Sequence, residues 1–144
     1  MKKYMDMISN STTDPKPTVY ISGAISGVDA VIARAEFSLA EEEAKKLFPN
    51  HSVFNPYKVG AALPGEWTYE QIMNLDLAVL EDCDAIYMMD GWQASRGATI
   101  EHKFAKENDI EIVYQKDFAK EMEKRNEISR SEHQIPEHSR GLDL

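Results

Sequence analysis

Asp84-Ala-Ile-Tyr-Met-Met-Asp-Gly-Trp-Gln-Ala-Ser-Arg-Gly-Ala-Thr-Ile-Glu101 is the stretch of sequence that decides the fold of this chain. Its apolar beginning, at 85–89, is short and uninterrupted, which is typical of a buried strand. Asp90-Gly91 ends that strand, and a loop of small residues follows. The remainder predicts a helix at about 98–108, with Glu101 in or near its first turn.

Glu101 is the first candidate functional residue that this arrangement suggests. The N-terminus of a helix presents unpaired N–H groups and the positive end of the helix dipole, so a carboxylate there is favoured in its ionised form. At the carboxyl end of a strand, beside a loop that contains glycine, such a group is placed to act as a nucleophile or to stabilise a cation. The alternative interpretation is that Glu101 only complements the helix dipole.

The rest of the chain alternates between strand and helix patterns. Strands are predicted at 18–22, 52–54 and 110–114, and helices at about 30–48, 68–82 and 116–128. A long loop is predicted at about 57–67, before Thr68-Tyr-Glu-Gln71 opens a helix as a capping box. This order predicts an α/β fold, a three-layer α/β/α sandwich around a short parallel sheet of the flavodoxin-like or Rossmann-like kind.

The ends of the chain differ in composition from its middle. Residues 1–16 and 129–144 are polar and are interpreted as two tails, which leaves 17–128 as one α/β domain. Within the predicted helix at 30–48, Asp29 is placed to cap the N-terminus, and Glu41-Glu-Glu43 is expected to form a solvated face.

Composition excludes several classes of protein. A net charge of −9 and a pI near 4.9 argue against a duplex nucleic-acid binder, which normally carries a basic stripe. Cys83 is the only cysteine, so we expect a plain buried thiol, no internal disulfide and no cysteine-based zinc site. No metal and no cofactor are predicted. Because no apolar run approaches 18 residues and no signal-peptide pattern is present, we expect a cytoplasmic protein without a membrane partner.

Asp76 is the second candidate, because it interrupts an apolar helix face. It lies four residues after Ile72 and four before Leu80, so its side chain should point inward. Burying a carboxylate costs several kcal/mol, about as much as a core residue contributes, unless it is paired or hydrogen-bonded. An inward aspartate is therefore either structural, with a partner, or functional at a cavity. The expected apolar stripe is Tyr69, Ile72, Met73, Leu77 and Leu80.

Tyr20 and the turn after it complete the set of candidates. Tyr20 lies in the predicted first strand, where a phenol can reach Glu101 if the two strands are neighbours; the alternative is a core tyrosine. The turn Gly23-Ala-Ile-Ser-Gly27 joins a strand to a helix and could hold a phosphate or a sugar edge. It is neither a P-loop nor a dinucleotide-binding fingerprint.

Taken together, these motifs resemble the nucleoside 2′-deoxyribosyltransferase-like superfamily, and most of all its small relatives in the DUF4406 family. The resemblance also extends to the 2′-deoxynucleoside 5′-phosphate N-hydrolases. It covers about 19–114 and is carried by Val-Tyr-Ile-Ser-Gly-Ala-Ile-Ser-Gly at 19–27, Asn55-Pro56, Trp67 with Met73 and Asp76-Leu77, and the block from Asp90 to Glu101.

The resemblance implies a role for each candidate. Glu101 matches the glutamate that attacks C1′ of the sugar, Tyr20 the tyrosine that orients it, and Asp76 an aspartate near the base and the sugar. Ser95 matches a serine that the nucleotide hydrolases use near the 5′-phosphate, where the transferases carry an aspartate. We therefore assign the substrate-binding role to Gly23, Ser26, Gly27, Ser95, Arg96 and Gly97.

Two departures from the superfamily pattern affect the phosphate site and the tail. The hydrolases carry a serine and an arginine in the first loop where this chain has Ala24 and Ser26, so Arg96 would have to supply the charge. The transferases use a C-terminal segment of a neighbouring subunit, and the polar tail here shows no match to it.

The function that these residues imply is cleavage of the N-glycosidic bond of a deoxynucleotide or deoxynucleoside, with Glu101 as the nucleophile. Water or a second base can capture the sugar, and the sequence is consistent with both. The competing hypothesis is a module of the same fold that binds or sequesters a nucleotide without turnover. The partner in either case is a small nucleoside or nucleotide. A homo-oligomer is also expected, because Phe118, Met122 and Ile128 offer apolar surface on the last helix; the alternative is that this helix covers the sheet of its own subunit.

Overall fold

The fold is a four-stranded sheet covered by helices, seen in a computed structural model that describes residues 17–25, 27–62 and 65–128. Ser26 and the two predicted tails, 1–16 and 129–144, lie outside the described residues. The elements are, in chain order, β1 (Thr18–Ser22), α1 (Ala30–Leu47), β2 (Ser52–Phe54), α2 (Pro56–Ala62), α3 (Tyr69–Glu81), β3 (Ala85–Met88), α4 (Arg96–Glu107), β4 (Glu111–Tyr114) and α5 (118–128), with short 3-10 helices at Trp92–Ala94 and Gln115–Asp117.

The sheet is parallel throughout and has the strand order β2-β1-β3-β4. At its carboxyl edge Ser22 pairs with Met88, and Met88 pairs with Tyr114. The chain runs from β1 outward to β2 and then returns to place β3 on the other side of β1. The reversal of strand order therefore lies between β1 and β3, which is where ligands bind in sheets of this kind.

Each face of the sheet has its own apolar core. Residues of alternate parity along a strand point to opposite faces, so Val19 and Ile21 pack with α1, whereas Tyr20 packs toward α3 and α4. Phe118 and Met122 of α5 pack on the α1 side. The predicted three-layer α/β/α sandwich is confirmed.

Two predicted helix starts are confirmed, and the structure contains a third helix start that the sequence did not predict. Asp29 accepts hydrogen bonds from the first N–H groups of α1, and Thr68 and Gln71 form the capping box of α3. The long loop expected at about 57–67 is wrong, because α2 occupies Pro56–Ala62. Asn55 accepts a hydrogen bond from the N–H of Tyr57 at 3.0 Å, so Asn55 is the cap that starts this helix.

Glu41 is not part of a solvated face, contrary to expectation. Its side chain is buried, 8% exposed, and it accepts from Asn55 Nδ2 at 3.1 Å and pairs with Lys45 and Lys58 at 3.0 Å each. Burial alone would raise the pKa of Glu41, but the hydrogen bonds from Asn55 and the two lysines outweigh burial and lower it. The network ties α1 to the start of α2.

Two further expectations concern Cys83 and α5. Cys83 is a buried free thiol, as predicted, and burial raises its pKa to about 12, so it is no nucleophile near neutral pH.

The apolar surface expected on α5 is mostly covered. Phe118 and Met122 pack on the core of their own chain, whereas Ile128 is 52% exposed. Within the described ranges, no helix is long and apolar enough to cross a membrane.

Candidate active site

Glu101 lies in the second turn of α4, not in the first. Ser95 is the N-cap, and the first turn of the helix contains no acidic residue. Glu101 therefore lies beyond the free N–H groups of the helix start, and the helix dipole falls off over that distance. The side chain points into the sheet face that carries Tyr20, and it is only 5% exposed.

Two hydroxyl groups of β1 hold the Glu101 carboxyl group. The Tyr20 hydroxyl donates to Oε2 at 2.6 Å, and Ser22 Oγ donates to Oε1 at 2.6 Å. Both donors are 0% exposed. Because they lie two residues apart on one strand, they face the same side of the sheet and approach one oxygen each. The predicted contact between Tyr20 and Glu101 is present.

Asp76 approaches the same hydroxyl from α3. Its side chain points inward, as the helical period predicted, and is 8% exposed. Burial raises the pKa of Asp76 to about 6, and the Tyr20 hydroxyl partly offsets this rise. Tyr69, expected on the same inward stripe, is 43% exposed because it begins the helix.

The pKa of Glu101 is raised to about 7, which contradicts the expectation of a carboxylate held fully ionised by a helix end. Burial is the main cause; the hydrogen bonds from Ser22 and Tyr20 oppose it, and the nearby Asp76 adds to it. Because the pKa of Glu101 is raised further than that of Asp76, Glu101 is the more readily protonated of the two acids. The phenol itself stays protonated, since burial and Glu101 both raise the pKa of Tyr20.

The start of α4 presents the residues assigned to the 5′ end of the substrate. The Ser95 hydroxyl accepts a hydrogen bond from the N–H of Ala98 at 3.2 Å, so it caps the helix and keeps its own proton free to donate. Arg96 is exposed, and its guanidinium lies 5.2 Å from the centre of the Tyr69 ring. Ser95 is six residues from Glu101, which is about 9 Å along the helix.

The three glycines of the predicted site have backbone roles. A Cβ at Gly23 would lie 2.5 Å from Met89 Sδ, and a Cβ at Gly97 would lie 3.3 Å from Met73 Sδ. Gly27 has a φ of 80°, in the left-handed region that glycine adopts without strain. Gly23 and Gly97 therefore let the first loop lie close to Met89, just after β3, and α4 lie close to Met73 of α3. The predicted role of Ser26 lies outside the described residues.

Comparison with protein-family models gives one match. The model described as a domain of unknown function (DUF4406) matches residues 17–114. The chain belongs to the DUF4406 family. No curated protein and no solved structure matches it. The DUF4406 match spans β1 to β4 and therefore includes Tyr20, Asp76 and Glu101, whereas α5 lies outside it.

Ser22 is the member of this DUF4406 site that the sequence reasoning missed. The alternation of side chains along a strand could have identified it. Ser22 lies two residues after Tyr20, so it faces the same side of the sheet as that tyrosine. Its position at the end of the strand explains why it was not among the predicted site residues. Across the described part of the chain, no group of three or more His, Cys, Asp and Glu side chains is arranged to hold a metal ion.

Proposed function

We propose that this DUF4406 protein cleaves the N-glycosidic bond of a deoxynucleotide or deoxynucleoside, with Glu101 as the nucleophile. The observation that carries the proposal is the convergence of two buried carboxyl groups, Glu101 and Asp76, on the hydroxyl of Tyr20. Their place beside the β1–β3 reversal is where the fold is expected to bind its ligand.

Glu101 fits the part of the reaction that needs a negative charge. As the bond to the base breaks, positive charge develops on the sugar ring, and a carboxylate beneath C1′ stabilises it or forms a covalent bond to that carbon. Tyr20 and Ser22 fix both carboxyl oxygens before the substrate arrives, so little reorganisation is needed during the reaction. With a pKa near 7, a large share of Glu101 is ionised at neutral pH.

Asp76 fits the part of the reaction that needs a proton. The departing base takes the electron pair of the broken bond and is a better leaving group when it is protonated. Burial raises the pKa of Asp76 to about 6, still below the value of about 7 for Glu101, yet in the reactive form the proton must lie on Asp76 rather than on Glu101. In the proposed division of roles, Asp76 donates to the base and Glu101 acts on the sugar. Water then yields the hydrolysis product, and a second base yields a transfer product.

The preference for a 5′-monophosphate over a free nucleoside is part of the proposal and depends on the start of α4. Ser95 can donate a hydrogen bond to a phosphate, and Arg96 can supply a positive charge. These features support the likeness to the nucleotide N-hydrolases within the deoxyribosyltransferase-like superfamily. The proposed substrate class also supports a cytoplasmic location, since nucleotide pools are cytoplasmic.

One observation favours a second candidate, a nucleotide-binding module without turnover. The two hydroxyl donors occupy one lone pair on each oxygen of Glu101, and the raised pKa leaves part of the group protonated at neutral pH. Both effects reduce its strength as a nucleophile. A protein that only binds would need the same shape but no reactive glutamate.

The decisive experiment incubates the protein with deoxynucleosides and their 5′-monophosphates and measures free base by chromatography. We expect base release by the wild-type protein and a loss of several orders of magnitude in kcat for Glu101→Gln, with little change in KM. Glu107→Gln is the matched control, because Glu107 is exposed at the end of the same helix. Tight binding without base release would favour the binding module, and equal turnover by Glu101→Gln would remove Glu101 from the chemistry.

A further inference from the structure

A cavity lies next to the loop that joins β3 to α4. It has a volume of about 380 Å³, within the range of small-molecule sites. It opens where β3 and β4 end, and its walls come from Met88, Asp90, Trp92, Gln93, Tyr114 and Lys116. Glu101 faces β1, through Tyr20 and Ser22, whereas the next residue, His102, faces β4 through Tyr114. Neither Glu101 nor Asp76, Tyr20 or Ser22 lines the cavity, so it is distinct from the proposed catalytic centre, although Met88 in its wall pairs with Ser22 in the sheet.

The aromatic wall of this cavity is held in place by His102. The imidazole is stacked on the Trp92 ring with centroids 4.1 Å apart, and its Nε2 lies 2.8 Å from the Tyr114 hydroxyl. Burial, and then the charge of Lys106, lowers the pKa of His102, so the ring is neutral near pH 7 and packs as an uncharged aromatic. An indole and a phenol ring fixed in this way offer flat surfaces on which another planar ring can stack.

The polar wall of the cavity carries groups of both signs. Lys116 brings a cation, its Nζ 5.6 Å from the centre of the Tyr114 ring, Asp90 brings a carboxylate, and Gln93 brings an amide. A ligand matched to these groups needs hydrogen-bond donors and acceptors around its edge rather than a strong net charge. Nucleobases have this character, since lysine and amide groups donate to ring nitrogens and carbonyl oxygens, and carboxylates accept from exocyclic amines.

We propose that the cavity at the ends of β3 and β4 binds a nucleobase or a similar planar heteroaromatic ring. The ring stacks on Trp92 and Tyr114, Lys116 and Gln93 donate to its acceptor atoms, and Asp90 accepts from its N–H groups. Stacking on aromatic side chains is tolerant of the base, and the edge groups select among bases. The inference does not depend on the proposed cleavage activity, because the described hydrogen bonds of Glu101 go to Tyr20 and Ser22 and to none of these residues.

Tryptophan fluorescence provides the test, since the chain has two tryptophans and Trp67 can be removed. In Trp67→Phe, Trp92 is the sole tryptophan. This variant is titrated with adenine, guanine, cytosine and uracil, and with benzoate as a planar ring that lacks the base edges. We expect saturable quenching by at least one base, with weaker binding of benzoate. No saturable quenching by any base, or equal affinity for benzoate, would overturn the proposal.

Three variants in the Trp67→Phe background locate the binding. Lys116→Ala is expected to weaken binding about fivefold to tenfold, and Gln93→Ala provides a second test should Lys116→Ala fail to fold. Lys103→Ala is the matched control, an exposed lysine of α4 outside the cavity, and should bind as Trp67→Phe does. If Lys116→Ala and Gln93→Ala both bind as Trp67→Phe does, the base binds elsewhere and the site at the ends of β3 and β4 is refuted.

Discussion

Glu41 and Glu101 are both buried glutamates, and their surroundings move their pKa values in opposite directions. Two lysines and an amide surround Glu41, so its charge is neutralised where it lies and its pKa is lowered. Glu101 has two hydroxyl donors and a neighbouring acid, and its pKa is raised to about 7. The first arrangement stabilises the fold. The second costs stability near neutral pH, which is the expected signature of a carboxyl group retained for function.

Ser22→Ala tests whether the hydroxyl pair sets the charge of Glu101. Removing one donor to the charged form should raise the pKa of Glu101 further, by about one unit. The rising limb of a kcat against pH profile should therefore shift upward by a similar amount. Tyr20→Phe removes the other donor and is the matched comparison. An unshifted profile in both variants would show that the hydroxyls only fill space.

Asp76→Asn is expected to keep or increase stability while activity falls. The pKa of Asp76 is about 3.8 when unfolded and about 6 when folded, so the folded state binds more protons between these values and loses stability as pH rises through them. Asparagine removes this loss, with a gain at pH 8 of at most about 3 kcal/mol, reduced by solvent screening because Asp76 is not fully enclosed, and little gain below pH 4. Thermal melts at the two pH values measure it. A large loss of stability at pH 8 would instead mark Asp76 as part of a structural pair.

The sequence predicted some features of the site and not others. The features that it predicted depend on local patterns, and those that it did not predict depend on contacts between distant parts of the chain. The inward direction of Asp76 follows from the helical period alone, whereas the Tyr20–Glu101 contact followed only if the two strands were neighbours, with a core tyrosine as the alternative, and the role of Tyr20 came from the family resemblance. The charge state of Glu101 could not be predicted from the sequence. It depends on burial by two helices and on the hydrogen bond from Ser22, and both are features of the tertiary structure. The position of Glu101 within α4 depended on whether the helix begins at Arg96 or at Ala98, and boundaries are the least certain part of such predictions.

At the scale of elements, α2 and α4 show that the N-cap residue sets where a helix begins. Asn55-Pro56 is a cap followed by a proline at the first helical position, a helix-start signal that Gly60, Pro64 and Gly65 obscured. Ser95 plays the same part for α4 and fixes which residues face the sheet. If Ser95 both caps α4 and donates a hydrogen bond to the substrate, one residue affects the stability of the helix and the preference among substrates.

Ser95→Asp separates these two roles of the α4 cap. Aspartate caps helices as well as serine does, so stability should change by less than about 1 kcal/mol. A carboxylate repels a phosphate dianion and accepts from a hydroxyl, so kcat/KM should shift from 5′-monophosphates toward free nucleosides. Competing substrates in one reaction, quantified by chromatography, measure the ratio. Equal effects on both classes would place the 5′ end of the substrate elsewhere.

At the scale of the whole molecule, α1 carries three large exposed apolar residues, whereas α5 exposes Ile128 in its last turn. Val31 is 77% exposed, Ile32 52% and Leu39 57%, and Ile32 and Leu39 are seven residues apart, two turns along one side of the helix. Phe118 and Met122 pack against their own core, so α5 no longer explains why the chain would form an oligomer. The exposed side of α1 is the better candidate for the contact between subunits.

We predict a homo-oligomer in solution that uses the exposed side of α1, since closed symmetric dimers are the commonest arrangement of soluble chains that associate. Light scattering at micromolar concentration should give a multiple of the 16.3 kDa chain mass. Leu39→Glu should shift the mass toward the monomer, because an interface core excludes an unpaired charge. Lys46→Glu, which adds a glutamate at an exposed position of the same helix, should not. A wild-type mass near 16.3 kDa with full activity would refute the assembly, since the site would then be complete within one chain.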